Sequence, residues 1–75
     1  MKEVILVTGK DCHLCDQAKG IFMELREDQL ILIEKDVYSK REYLDKYWDK
    51  IPVVLFNDEE LLWPFTEDNV KDLLL

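Results

Sequence analysis

The strongest limit on the possible folds is a helical segment between two short apolar runs. Residues 4–8, Val-Ile-Leu-Val-Thr, are apolar or β-branched throughout, which is typical of a central strand covered on both faces. Residues 30–33 form a second apolar run and predict a second buried strand. Two strands joined by a helix through short connections imply a right-handed parallel unit.

The intervening segment, residues 12–27, is predicted to be an amphipathic helix. At about 100° per residue, its apolar side chains fall within one arc of the helical wheel. These side chains are Leu14, Ala18, Ile21, Phe22 and Leu25. We expect this arc to face the sheet.

A second helix is predicted to follow a capping-box pattern. Ser39 would be its N-cap and Glu42 its third helical residue. The apolar face would then consist of Tyr43, Leu44, Tyr47 and Trp48. Packing of this helix is the ordinary role for these aromatic residues, although Tyr47 and Trp48 are also candidates for an apolar platform beside a site.

The last third of the chain predicts a hairpin and a third helix. Residues 53–56 and 61–63 are strand-like and flank a turn at 57–59, and Pro64 ends the second strand. Thr66 is a predicted N-cap for a helix carrying Val70, Leu73 and Leu74. The order β-α-β-α-β-β-α predicts an α/β fold, with a mixed four-stranded sheet and helices on both faces.

Length and charge exclude several classes of protein. The 75 residues predict one domain over residues 1–75, and 17 acidic against 10 basic residues give a net charge of −7. This charge argues against nucleic-acid and anionic-membrane partners. No apolar run approaches the roughly 20 residues of a membrane span, and no secretory leader is recognisable. We therefore expect a cytoplasmic protein, and we expect it to be a monomer.

Cys12 and Cys15 form a C-x-x-C motif between the first predicted strand and the first predicted helix. Residues three apart on a helix share a face, so the two sulfurs can approach bonding distance. Two cysteines are too few for a disulfide scaffold in a domain of this size. In this structural context the motif indicates dithiol redox chemistry.

The predicted positions of the two cysteines assign them different roles. Unpaired N–H groups and partial positive charge at a helix N-terminus favour a thiolate, so we expect a thiol pKa below about 8.5. Lys10 and a protonated His13 favour the thiolate further, whereas neighbouring aspartates oppose it. Cys12 lies at the tip of the helix, and Cys15 lies at the edge of the buried arc. Cys12 is therefore the predicted nucleophile and Cys15 the resolving thiol.

Other uses of the motif stay open. Zinc bound within one chain would need two more Cys or His ligands, and His13 is the only histidine. We therefore predict no metal site within one chain. A metal or iron–sulfur cluster bridging two chains, or two inert buried thiols, are alternatives. So is a non-catalytic binding module that uses Trp48, Pro52 and the cysteine region to hold a partner.

Two segments resemble the glutaredoxin-like branch of the thioredoxin superfamily. Residues 6–18, Leu-Val-Thr-Gly-Lys-Asp-Cys-His-Leu-Cys-Asp-Gln-Ala, are similar to its first strand, active-site loop and helix start. Residues 51–56, Ile-Pro-Val-Val-Leu-Phe, are similar to the segment that carries the family's cis-proline into the third strand. The resemblance implies a minimal, glutaredoxin-type thioredoxin-like fold.

The resemblance also implies an activity, that of a thiol–disulfide oxidoreductase acting on a protein or low-molecular-weight disulfide without a bound cofactor. Pro52, if cis, would lie beside the redox-active disulfide, and the backbone of Ile51 would pair with a bound thiol peptide. Lys10 and His13 would complete the substrate-binding residues. Residues 63–67, Trp-Pro-Phe-Thr-Glu, replace the Gly-Gly turn and Asp with which glutaredoxins hold glutathione. The predicted electron donor is therefore either glutathione or a reductase.

Overall fold

The computed structural model describes residues 2–25 and 30–74. Within these residues it contains four strands, three α-helices and one 3-10 helix. In chain order they are β1 (Lys2–Thr8), α1 (His13–Leu25), β2 (Leu30–Asp36), the 3-10 helix (Val37–Ser39), α2 (Arg41–Tyr47), β3 (Val53–Phe56), β4 (Glu59–Leu62) and α3 (Glu67–Leu74). Apart from the 3-10 helix, the predicted order of elements is confirmed.

The strands form one mixed sheet in the order β2-β1-β3-β4. β1 is parallel to β2 and antiparallel to β3, and β3 is antiparallel to β4. At one end of the sheet, Thr8 pairs with Asp36, and Val53 pairs with both Val7 and Leu62. We call this end of the sheet the cysteine end, because the C-x-x-C motif follows Thr8. The opposite end carries Lys2, Leu30, Phe56 and Glu59.

The core occupies both faces of the sheet, as predicted. On one face, α1 and α3 pack over the sheet, and the buried residues there are Val4, Leu6, Ala18, Phe22, Val54, Phe65, Val70 and Leu74. On the other face, α2 and the 3-10 helix cover a second cluster of Val7, Val37, Tyr43, Tyr47 and Val53. Burial on both faces explains why residues 4–8 show no polar alternation.

The prediction of a second buried strand is wrong. β2 lies at the margin of the sheet with β1 as its neighbour, and none of its seven residues is buried. Leu30 and Leu32 pack only partly against the core. A short apolar run has the same appearance in a central and in a marginal strand, so the sequence does not separate the two.

α1 is rotated relative to its predicted face. Its buried residues are Cys15, Ala18 and Phe22, whereas Leu14 is 42% exposed. Leu14 and Cys15 are about 100° apart on the helix, so burial of Cys15 turns Leu14 toward solvent. The described part of α1 ends at Leu25, and its predicted end at residue 27 lies outside the described residues.

The predicted capping box at Ser39 is also wrong. The Asp36 carboxylate accepts a 2.8 Å hydrogen bond from the backbone N–H of Tyr38, and the Ser39 hydroxyl donates to the Asp36 carbonyl at 2.6 Å. These bonds close the 3-10 helix, so Ser39 is not available to cap α2. Lys40 is the N-cap and makes no side-chain capping bond.

Only part of the predicted aromatic face of α2 is buried. Tyr43 and Tyr47 pack against the sheet, whereas Trp48 follows the last helical residue and is 65% exposed. Trp48 therefore does not pack in the core.

The hairpin and α3 follow the prediction closely. Asn57 and Asp58 form a tight turn, with Asn57 at φ 55°, so β4 begins two residues earlier than expected. The Asn69 N–H donates to Thr66 Oγ1 at 3.2 Å, and the Thr66 N–H donates to Asn69 Oδ1 at 2.9 Å. This reciprocal pair confirms Thr66 as the N-cap. At the far end of α3, Lys2 Nζ donates to the Leu74 carbonyl at 2.7 Å.

Candidate active site

The start of α1 positions both cysteines. The Cys12 carbonyl accepts a 3.3 Å hydrogen bond from the Asp16 N–H, and Cys12 Sγ accepts one of 3.1 Å from the Cys15 N–H. Cys12 thus occupies the N-cap position of α1, and its sulfur replaces the hydroxyl oxygen of a capping Ser or Thr. The Cα atoms of Cys12 and Cys15 are 5.2 Å apart, and the two sulfurs form a disulfide bond.

The two cysteines differ in burial in the predicted direction. Cys15 is 2% exposed on the face of α1 that also buries Ala18 and Phe22, whereas Cys12 is only half-buried. A disulfide or thiol from outside therefore reaches Cys12 more readily than Cys15.

A surface depression of 420 Å³ lies against the disulfide. Its lining residues are Gly9, Asp11, Cys12, His13, Cys15, Asp16 and Lys19. Of the residues predicted from the sequence, both cysteines and His13 therefore meet in one place. Lys10 lies nearby in the exposed turn between β1 and α1, but it does not line the depression.

Ile51 and Pro52 lie at the same end of the sheet. Pro52 is fully buried and directly precedes β3, whose first residue, Val53, pairs with Val7 of β1. The Ile51–Pro52 peptide bond is cis, as is Trp63–Pro64. Pro52 thus adjoins the strand that leads into the C-x-x-C loop, although neither Ile51 nor Pro52 lines the depression.

Gly9 connects the Ile51–Pro52 segment to the C-x-x-C loop, a role that the sequence analysis missed. A Cβ atom at Gly9 would overlap Cδ1 of Ile51. The side chain of Ile51 therefore packs directly on the backbone three residues before Cys12. A glycine between a strand and a C-x-x-C motif was the available signal for this close approach.

Lys19 and Glu34 form an ion pair at the side of the depression, which the sequence analysis also missed. Lys19 Nζ lies 2.8 Å from Glu34 Oε1. The hydrogen bond to Glu34 and the charge of its carboxylate raise the pKa of Lys19, and the charge of Asp16 adds to the rise. Lys19 is four residues after Cys15, so helical spacing places it near the motif. No sequence pattern identified Glu34 as its partner.

Two structural features are not found in residues 2–25 and 30–74. No group of three or more His, Cys, Asp or Glu side chains is arranged to hold a metal ion. None of the helices in these ranges has the length and apolar character needed to cross a bilayer.

Comparison with known proteins places the chain in a family. The model of the family described as Glutaredoxin-like domain (DUF836) matches residues 3–75, a range that includes both the C-x-x-C motif and the Ile51–Pro52 segment. The chain belongs to this family. No curated protein matches this glutaredoxin-like chain.

A solved structure supports the same assignment. It is the X-ray structure of Northeast Structural Genomics target protein XcR50 from X. campestris, which is 26% identical. The two superimpose with a TM-score of 0.79, and the match covers 95% of this chain and 93% of that one. The glutaredoxin-like chain therefore has the thioredoxin-like fold that the resemblance implied.

Proposed function

We propose that this glutaredoxin-like protein is a thiol–disulfide oxidoreductase. The observation that carries the proposal is the Cys12–Cys15 disulfide at the first turn of α1, with the accessible sulfur at Cys12 and the buried one at Cys15. Membership of the glutaredoxin-like family supports a redox role.

The reaction begins from the reduced dithiol. The Cys12 thiolate attacks one sulfur of a substrate disulfide, which forms a mixed disulfide and releases the other half of the substrate as a thiolate. The Cys15 thiolate then attacks Cys12 Sγ, forms the intramolecular disulfide and releases the second half. Two electrons pass from the dithiol to the substrate. Glutathione or a reductase returns two electrons to the protein.

The helix start supports the Cys12 thiolate. The Cys15 N–H that lies 3.1 Å from Cys12 Sγ is a donor suited to a negatively charged sulfur. The positive end of the α1 dipole acts in the same direction. His13 lines the depression and adds positive charge when it is protonated.

The same end of the sheet supplies candidate substrate contacts. Pro52 adjoins β1 beside the C-x-x-C loop, and Ile51 packs on Gly9. In the proposal, the backbone of Ile51 pairs with an extended segment of a disulfide-bearing protein, while Lys10 and His13 contact the substrate around Cys12. The protein acts as a monomer in the reducing cytoplasm on such a protein or on a small disulfide.

Single serine variants test the proposed function. With Cys12→Ser we expect disulfide reductase activity to be lost, because no attacking sulfur remains. With Cys15→Ser we expect a stable mixed disulfide at Cys12, detected as a mass increase that dithiothreitol reverses. Met23→Ser on the exposed side of α1 is a control and should retain activity. Full reductase activity in Cys12→Ser would refute the proposal.

A further inference from the structure

We infer that the reactive centre prefers disulfides that carry positive charge near the sulfur atoms over anionic disulfides such as oxidised glutathione. The inference rests on the proposed function and names its substrate class. It is carried by the distribution of charge around the depression beside Cys12.

Two aspartates supply the negative charge of the depression, and one of them, Asp16, also acts on the charge of Lys19. Asp11 and Asp16 both line the depression, and both are exposed. Asp11 precedes Cys12 directly, and the Asp16 N–H donates to the Cys12 carbonyl, so both residues lie beside Cys12 at the depression. Within the part of the chain that the structure describes, neither carboxylate forms an ion pair.

The positive charges at the depression are weaker. Lys19 lines it, but its ammonium group is held by Glu34 at 2.8 Å, and Glu34 does not line the depression. His13 is the other basic side chain in the lining. Lys10 lies in the exposed turn, outside the lining residues. An incoming substrate thus meets two carboxylates, one histidine and a lysine whose charge is already compensated by Glu34.

The size of the effect follows from Coulomb's law. In water-like surroundings, one unit charge within about 7–10 Å changes the rate for a charged substrate roughly two- to threefold. Two carboxylates attract a cation and repel an anion, and these effects multiply. At low salt we therefore expect a cationic probe to react roughly four- to ninefold faster than a neutral one, and an anionic probe to react slower by a similar factor. Both ratios should fall toward one as salt screens the charges.

The experiment compares disulfides of different charge on the reduced protein. Cystamine is the cationic probe, hydroxyethyl disulfide the neutral one, and dithiodiglycolate and oxidised glutathione the anionic ones. The second-order rate of Cys12–Cys15 oxidation is followed by quenching with an alkylating agent and mass spectrometry. Each rate is divided by the rate of dithiothreitol with the same disulfide, which removes differences in leaving group. The rates of two probes are then compared on the same variant, so any change that the substitution makes in the nucleophilicity of Cys12 cancels in their ratio.

Two double variants separate local charge from net charge. Asp11→Asn/Asp16→Asn removes both carboxylates at the depression, and asparagine tolerates the positive φ of 55° at Asp11. Glu3→Gln/Asp72→Asn removes the same total charge at the opposite end of the sheet. Glu3 lies near the start of β1, and Asp72 lies close to Leu74, whose carbonyl bonds to Lys2. Thermal melting of each variant checks the fold.

We expect the ratio of the cationic to the anionic rate to stay at its wild-type value in Glu3→Gln/Asp72→Asn. In Asp11→Asn/Asp16→Asn the same ratio should fall toward one. Disulfide exchange without charge preference in the wild type would overturn the inference and leave the proposed function intact. An equal fall in both double variants would also overturn it, since net charge would then be responsible. If the double variant at the depression does not fold, the single Asp16→Asn variant and the salt dependence of the wild type test the inference instead. A cationic preference that neither the variant nor salt reduces would overturn it. Absence of exchange with every probe would refute the proposed function itself.

Discussion

The hydroxyl of Tyr47 donates a 2.6 Å hydrogen bond to Oε2 of Glu60 and joins α2 to β4. The Tyr47 side chain is buried between α2 and the sheet. Its backbone carbonyl also accepts a 2.9 Å hydrogen bond from the Lys50 N–H, in the turn that leads to Ile51. One residue thus anchors α2 and shapes the approach to the Ile51–Pro52 segment.

Tyr47→Phe removes the hydroxyl and leaves the ring in place. We expect a loss of about 1–2 kcal/mol in the free energy of unfolding, because the hydrogen bond is charge-assisted and partly buried. Urea denaturation measures it. Tyr38→Phe is the matched control, since Tyr38 is largely exposed, and its change should stay within about 0.5 kcal/mol.

The raised pKa of Tyr47 should make the stability of the protein depend on pH. Burial, followed by the hydrogen bond and charge of Glu60, raises the pKa of Tyr47 from 10.0 to about 12. A raised pKa in the folded state contributes stability that is fully present below pH 10 and is lost as the pH approaches 12. Urea denaturation should therefore show a steeper fall with pH for the wild type than for Tyr47→Phe in this window. Parallel pH profiles for the two proteins would contradict this prediction.

Two neighbouring residues on α1 should respond very differently to truncation. Phe22 is buried in the cluster under α1 and α3, so Phe22→Ala should lower the free energy of unfolding by about 3–5 kcal/mol. Met23 is 75% exposed, and Met23→Ala should change it by less than about 0.5 kcal/mol. Thermal and urea denaturation of both variants provide the comparison. Similar losses in the two variants would mean that α1 is rotated differently on the sheet.

The N-cap role of Cys12 predicts a difference between two substitutions in the reduced protein. Cys12→Ser retains an acceptor for the Cys15 N–H, whereas Cys12→Ala leaves that donor without its partner. Cys12→Ala should be less stable than Cys12→Ser by about 1 kcal/mol. Urea denaturation in dithiothreitol measures the difference, and equal stabilities would exclude a capping role for the sulfur.

The close approach of Gly9 and Ile51 predicts a rescue. Gly9→Ala should destabilise the protein by about 1 kcal/mol, because the added methyl group overlaps Cδ1 at the end of the Ile51 side chain, which must move aside. Ile51→Val lacks that atom, so the double variant should be more stable than the sum of the two single changes implies. A double-mutant cycle in urea gives the coupling. Strict additivity would show that the two residues do not touch.

Much of the fold could be predicted because hydrophobic periodicity and turn residues are local signals. The central position of β1, the hairpin and the Thr66 cap all rest on residues close together in the sequence. The marginal position of β2 could not be predicted in this way, since strand order depends on pairings between distant segments. The predicted cap at Ser39 is a second case that the local pattern got wrong. The Ser39 hydroxyl bonds to the Asp36 carbonyl in the 3-10 helix, and α2 begins after Lys40.

In the candidate site too, features set by neighbouring residues could be predicted and contacts between distant residues could not. The contrast between an accessible Cys12 and a buried Cys15 followed from their spacing at a helix start, and the structure agrees. The partnership of Lys19 with Glu34 and the contact of Gly9 with Ile51 join residues that are far apart in the sequence. Such pairs depend on how α1 and the loop before β3 are set against the sheet, so no local pattern reveals them.

Among the described residues, the two outermost strands of the sheet, β2 and β4, each have one unpaired side. The margins of the sheet present rows of backbone groups that a strand from another molecule could extend into a continuous ribbon. Three of the seven residues of β2 are the exposed Glu34, Lys35 and Asp36, and β4 opens with exposed Glu59 and Glu60. Pairing with a strand of another molecule would bring these charges into the new ribbon, and charged residues on a marginal strand oppose such pairing.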